Sequence, residues 1–129
     1  MPPGSSFSDD QRLALAAVIA SAERVSGMPF RLYVGELSGG RAQAEALLAA
    51  LGASAADTVL VAIDPGSRRL EIVTGPRAAQ SLDDRTCALG ALAMTSSFEA
   101  DDLVGGIRNG VQLLADHSRH PARRHVSTF

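Results

Sequence analysis

Residues 58–75 read TVLVAIDPGSRRLEIVTG, and the fold follows from this stretch. Val59 through Ile63 form an unbroken apolar run rich in β-branched residues, the pattern of a strand covered on both faces and central in its sheet. Beyond the turn, Leu70, Ile72 and Thr74 alternate with Arg69, Glu71 and Val73, which predicts a half-covered partner strand. Asp64-Pro65-Gly66-Ser67 supplies the reversal: proline presets φ at the first central position, and glycine tolerates a positive φ at the second. The stretch therefore reads as an antiparallel hairpin.

Upstream, Ser8-Asp9-Asp10-Gln11 has the form of a capping box and should open a helix. Leu13, Ala16, Ala17, Ala20 and Arg24, with Val18, Ile19 and Ala22 close by, predict a broad inward stripe that ends at Gly27. Phe30, Leu32 and Val34 alternate as the inward residues of a first strand. A second helix is expected over residues 41–51, opened by Ser38-Gly39-Gly40 and closed by Gly52. Strand, helix and central strand make a βαβ unit, and the right-handed crossover sets the first strand parallel to the central one.

After Gly75, residues 76–82 predict a short helical turn. Asp83-Asp84 starts a third helix expected to run to about Thr95 and to break at Ser96 or Ser97. Glu99-Ala100-Asp101-Asp102 leads a last helix with Leu103, Ile107, Val111 and Leu114 inward, and Gly105, Gly106 and Gly110 point to close backbone packing there. A central strand buried on both faces needs helices on both sides, so the predicted architecture is α/β, a three-layer α/β/α sandwich with a small mixed sheet. The predicted organisation is a loose lead over 1–7, one domain over 8–116 and a polar, basic tail over 117–129.

Composition narrows function. At 129 residues with net charge −2 and no basic stripe interleaved with aromatics, nucleic-acid binding has no electrostatic support. The chain has no lysine, which excludes a lysine Schiff base and a P-loop lysine. Its one cysteine, Cys87, sits among Ala88, Leu89 and Ala91 and reads as a small core residue. No secretion signal or membrane-length apolar run is visible, so a cytoplasmic location is expected. All three histidines, His117, His120 and His125, fall in the tail, and no Ser/His/Asp set suggests a hydrolase triad.

Several positions resemble the TPM domain, a family named for plant thylakoid, photosystem-repair and nematode receptor-accessory proteins. The opening helix ends in Ser26-Gly27 before a strand, Arg41 and Ala44 match an R-x-x-A segment, and the hairpin ends in Gly75. Leu82-Asp83-Asp84 then matches an acidic turn, and Asp101-Asp102-Leu103-x-x-Gly106 the start of the last helix. The similarity spans roughly residues 13–115 and is nearest to cytoplasmic TPM-like proteins of high-GC bacteria. Two departures stand out: the signal peptide and C-terminal membrane span typical of the family are not visible, and Pro76 follows Gly75 where many members have a second glycine nearby. Acid phosphatase activity and calcium binding, attributed to some plant members, are what the resemblance implies for the acidic turn at Asp83 and Asp84.

Two sites are candidates. The exit of the third strand and the entry of the central one share a sheet edge, so Asp57, Asp83 and Asp84 could approach one another, and hard oxygen ligands suit calcium or magnesium. The structural reading, cap and dipole partner, is favoured over the metal reading. At the opposite edge, the Ser38, Gly39 and Gly40 amides with Arg41, and with Arg68 nearby, could hold an anion, although a plain connecting loop is the favoured reading. The expected function is a non-enzymatic protein-interaction or regulatory module with a protein partner. The alternative is a divalent-metal-dependent acid phosphatase-like hydrolase using Asp57, Asp83 and Asp84, with the metal neutralising developing charge and one aspartate as base. The basic tail is a candidate attachment point for an acidic partner.

Overall fold

The computed structural model describes residues 7–118. The lead before residue 7 and the tail from 119 onward, with His120 and His125, lie outside the described residues. Three strands pair in the order β1-β2-β3, with β1 Phe30–Val34, β2 Val59–Asp64 and β3 Arg69–Thr74. β1 runs parallel to β2, Phe30 beside Val59, and β3 returns antiparallel with Thr74 beside Val59 and Arg69 beside Asp64. Helices α1 Asp9–Ser26, α2 Gly40–Ala49, α3 Asp84–Glu99 and α4 Leu103–Asp116 cover the sheet. The mixed α/β sandwich expected from the sequence is the observed fold.

Every residue from Val59 to Ile63 is buried. The period of two divides them between two cores. Val59, Val61 and Ile63 meet Leu15, Met94, Ile107, Val111 and Leu114 of α1, α3 and α4 on one face. Leu60 and Ala62 meet Leu37, Ala44 and Leu48 on the other, where α2 lies. Both faces of the central strand are therefore dry, as its unbroken apolar run requires.

The capping box forms: Gln11 N–H donates to Ser8 Oγ at 3.1 Å, and Ser8 N–H to Gln11 Oε1 at 2.9 Å. Gly27, at φ 74°, closes α1 through its N–H to the Glu23 carbonyl. The buried face of α1 is a correction to the sequence reading. Leu15, Ala22 and Ser26 point inward with Val18 and Ile19, whereas Leu13 is 70% exposed and Ala16, Ala17, Ala20 and Arg24 face solvent. Alanine supplies apolar positions on every side of this helix, so the larger side chains decide which face goes in.

Three further boundaries differ from expectation. α2 ends at Ala49, and a 3-10 turn over Gly52–Asp57 carries the chain into β2. α3 continues past Thr95 to Glu99, because the Thr95, Ser96 and Ser97 hydroxyls donate to the Ala91, Leu92 and Ala93 carbonyls one turn back and leave the backbone ladder intact. At the hairpin tip the residue with positive φ is Arg68, at 58°, not Gly66. The Asp64 carboxylate accepts from the Gly66 and Ser67 amides at 3.1 and 3.3 Å, which holds the first part of the loop in a tight turn and defers the reversal to Arg68.

α3 ends in a matching device. Asp102 N–H donates to the Ser97 carbonyl and Asp101 N–H to the Phe98 carbonyl, a Schellman arrangement that puts Asp101 at φ 58°. A left-handed conformation costs a non-glycine residue about 1–2 kcal/mol. Two of the three glycines of α4 pack closely as expected: Gly106 and Gly110 face Met94 and Ser97 of α3 with no room for a side chain, whereas Gly105 lies against the Asp102 cap of its own helix.

Candidate functional site

Asp57, Asp83 and Asp84, the three aspartates expected to approach one another, serve separate tasks. Asp57 ends the 3-10 turn and accepts a two-pronged bond from Arg77, Nε to Oδ1 at 2.6 Å and Nη2 to Oδ2 at 3.0 Å. That pairing holds its carboxyl below the usual range. Asp83 caps α3, accepting from Thr86 N–H at 2.8 Å. Asp84 is exposed on the first turn of α3 and lines a groove with Cys87, while Asp57 lines another hollow with Arg77 and Ser81. Among the described residues, no three His, Cys, Asp or Glu side chains gather as a metal ion would need.

The loop into α2 is likewise satisfied from within. Gly39 N–H donates to Gln43 Oε1 at 2.9 Å, Gly40 N–H to the Leu37 carbonyl at 3.0 Å, and Ser38 Oγ to Glu36 Oε1 at 3.0 Å. Arg41 turns away from these amides toward β3, 3.5 Å from both Glu71 Oε1 and the Ile72 carbonyl, with Glu45 at 3.6 Å. The four residues expected to cradle an anion are thus engaged with neighbours of their own chain.

Asp64 and Arg69 matter more than the sequence revealed. Asp64 Oδ2 accepts from the buried Leu37 N–H at 3.0 Å, and Arg69 Nη1 donates to the Leu37 and Ser38 carbonyls at 3.3 and 3.1 Å. Together they fasten the β1–α2 loop to the hairpin. The Leu37 bond lowers the Asp64 pKa most, with the Ser67 side chain next. An aspartate before Pro-Gly-Ser signals the local turn. Nothing in the local sequence signals a partner 27 residues away.

A pH dependence follows. Both Asp57 and Asp64 have folded pKa values below the ordinary 3.8, so their stabilisation is complete above that value and is lost as pH falls through and below it. Melting temperature should therefore drop between about pH 5 and pH 2. Asp57→Asn and Asp64→Asn should each melt lower than the parent at pH 7 and converge on it at pH 2. A parallel offset at all pH values would contradict the assignment.

A further concavity with polar groups is the groove along the outer edge of β3, about 340 Å³, lined by Arg41, Leu70, Glu71, Ile72, Thr74, Asp84, Cys87, Ala88 and Ala91. Gly75 N–H donates to the Thr58 carbonyl, which fixes the phase of the β2–β3 ladder. By alternation, the backbone groups of Arg69, Glu71 and Val73 face β2, and those of Leu70, Ile72 and Thr74 face outward. Arg41 reaching the Ile72 carbonyl from outside fits this phase. Cys87 is half-buried at the groove wall, and burial first, then Asp84 and Asp83, push its thiol pKa up, which disfavours the thiolate a nucleophile needs.

Residues 2–115 match the family described as a domain of unknown function, DUF5130. Two solved structures share the fold. The BA42 protein of the psychrophilic bacterium Bizionia argentinensis superposes with a TM-score of 0.77 at 13% identity, over 89% of this chain and 83% of that one. The N-terminal domain of the cg2496 protein from Corynebacterium glutamicum gives 0.74, also at 13% identity, over 91% and 77%. Among curated proteins, none matches the chain. Among the described residues, no helix is long and apolar enough to cross a membrane.

Proposed function

The chain belongs to the DUF5130 family, and on that premise we propose that it is a TPM-like, non-enzymatic protein-interaction module that takes up an extended peptide as a fourth strand beside β3. The observation that carries this reading is the row of outward backbone groups at Leu70, Ile72 and Thr74, which along this groove no strand among the described residues pairs, Arg41 alone reaching the Ile72 carbonyl at 3.5 Å. The occupant's chemistry follows from the walls. Side chains facing α3 meet Cys87, Ala88 and Ala91 and must be small or apolar. Those facing α2 meet Arg41, whose carboxylate partners, the partly buried Glu71 and the exposed Glu45, stand at 3.5 and 3.6 Å, long enough for an acidic residue of the peptide to compete.

The hydrolase alternative lacks a convergent set of groups, since Asp57 is clamped by Arg77 and Asp83 caps α3. Two capped pentapeptides test the strand-addition reading, one alternating valine with glutamate and one alternating valine with lysine. The glutamate peptide should shift the Leu70, Ile72 and Thr74 amide resonances and slow their hydrogen exchange, and the lysine peptide should bind about tenfold more weakly, a difference of about 1.4 kcal/mol. Thr74→Pro removes one outward N–H and should weaken both. Amides that ignore both peptides, or binding unchanged in Thr74→Pro, would refute strand addition. Turnover of p-nitrophenyl phosphate that requires calcium or magnesium and is lost in Asp84→Asn would instead favour the hydrolase.

A further inference from the structure

Among the described residues, only two other than glycine adopt a positive φ, Arg68 and Asp101, both at 58°. They line the same hollow, with Pro65, Phe98 and Leu103 as its apolar part. It lies between the hairpin tip and the α3–α4 turn. Each position would accept glycine without strain, yet one carries a guanidinium and the other a carboxylate. Strained residues that cluster at one concavity point to a functional constraint there. Both side chains are exposed, and among the described residues no ion pair engages either of them. The neighbouring Asp102 carboxylate is engaged, accepting from Gly105 N–H at 3.0 Å as the α4 cap.

We propose that this hollow binds a small zwitterion of the size of a free α-amino acid, its carboxylate held by Arg68, its ammonium by Asp101 and its side chain against Phe98 and Leu103. Opposite charges across one hollow select for a molecule that carries both. A phosphate would meet repulsion from Asp101 and Asp102, and a simple cation from Arg68. Its volume of about 170 Å³ is below the roughly 300–1,000 Å³ of drug-sized ligand pockets and suits a small molecule better than a nucleotide. The inference is independent of strand addition at β3, because it uses none of the groove residues named there.

The test is an NMR titration of the full chain with glycine, L-serine and L-valine to about 20 mM, a range that saturates a site with a Kd near 1 mM. At least one of them should produce saturable shifts at Arg68, Phe98, Asp101 and Leu103. For L-valine, the analogues isovalerate, which lacks the ammonium, and isobutylamine, which lacks the carboxylate, should bind about tenfold more weakly or not at all. Arg68→Gly and Asp101→Gly remove the backbone strain together with the charge, so both should fold and melt a few degrees higher than the parent while losing about tenfold or more in affinity. If none of the three amino acids gives saturable shifts, if the analogues bind as well as L-valine, or if both glycine variants keep full affinity, the hollow is not a zwitterion site.

Discussion

Gly75→Ala should leave the chain barely folded, lowering its stability by about 3 kcal/mol or more, at or beyond the upper end of ordinary overpacking. The cause is space and not backbone conformation, since the positive-φ glycines among the described residues are Gly27, Gly40 and Gly52. A Cβ on Gly75 would lie against the carbonyl oxygens of Ala55 and Ala56, inside their van der Waals surface. Those carbonyls cannot withdraw cheaply. Thr58 N–H donates to the Ala55 oxygen at 3.2 Å and Arg77 N–H to the Ala56 oxygen at 2.8 Å, while Gly75 N–H itself donates to Thr58 at 3.0 Å. Moving the 3-10 turn aside would break this stitch at the entrance to the central strand and strip backbone groups of their partners. Urea unfolding measures the loss. Gly52→Ala is the control: its φ is 70° and nothing lies within 4 Å of a modest addition, so it should cost only the left-handed penalty of about 1–2 kcal/mol. Equal losses for the two would show that crowding at Gly75 is not the cause.

The contrast between these glycines marks how far sequence reading reaches. The run from Val59 to Ile63 announces a doubly covered strand because five successive apolar, mostly β-branched residues have no other good home, and the rest of the topology follows from connection rules. The face of α1 was not legible: Leu13 and Leu15 are both leucines in an alanine-rich helix, and only packing decides that Leu15 is buried and Leu13 is not. The stop expected at Ser96 or Ser97 failed because hydroxyls that favour turns can equally bond back into a helix. At the candidate sites the residue types and the sheet edges were readable, but the partners were not. Arg77 stands 20 residues from Asp57, and Gln43 reaches back to the Gly39 amide that an anion would have used. The groove at β3 was partly implicit, since a three-stranded sheet leaves an edge strand on each side. That no helix among the described residues closes over it is a tertiary fact.

The wall of that groove depends on how closely α3 and α4 cross, and this yields the second large effect. Gly110→Ala should destabilise by about 1–3 kcal/mol even though alanine is the better helix former by roughly 0.5–1 kcal/mol. The new methyl would fall within the Met94 side chain, at both its Cγ and its Cε, and Cγ is too near the backbone to swing clear. Met94 is fully buried and touches the core that includes Val61 and Ile107, so it has no empty volume to move into. Met94→Ala alone should cost about 2–5 kcal/mol through the cavity it leaves. Combined, each change relieves the other, and the pair should be more stable than the sum of the single losses predicts by about 1 kcal/mol or more, a coupling readable in a double-mutant cycle by urea unfolding. Gly110→Ala should also disturb strand addition, because pushing α3 away from α4 moves Cys87, Ala88 and Ala91 relative to Leu70 and Ile72. Strict additivity in the cycle would mean that the two helices do not meet at Met94 and Gly110, and the groove would then have some other foundation.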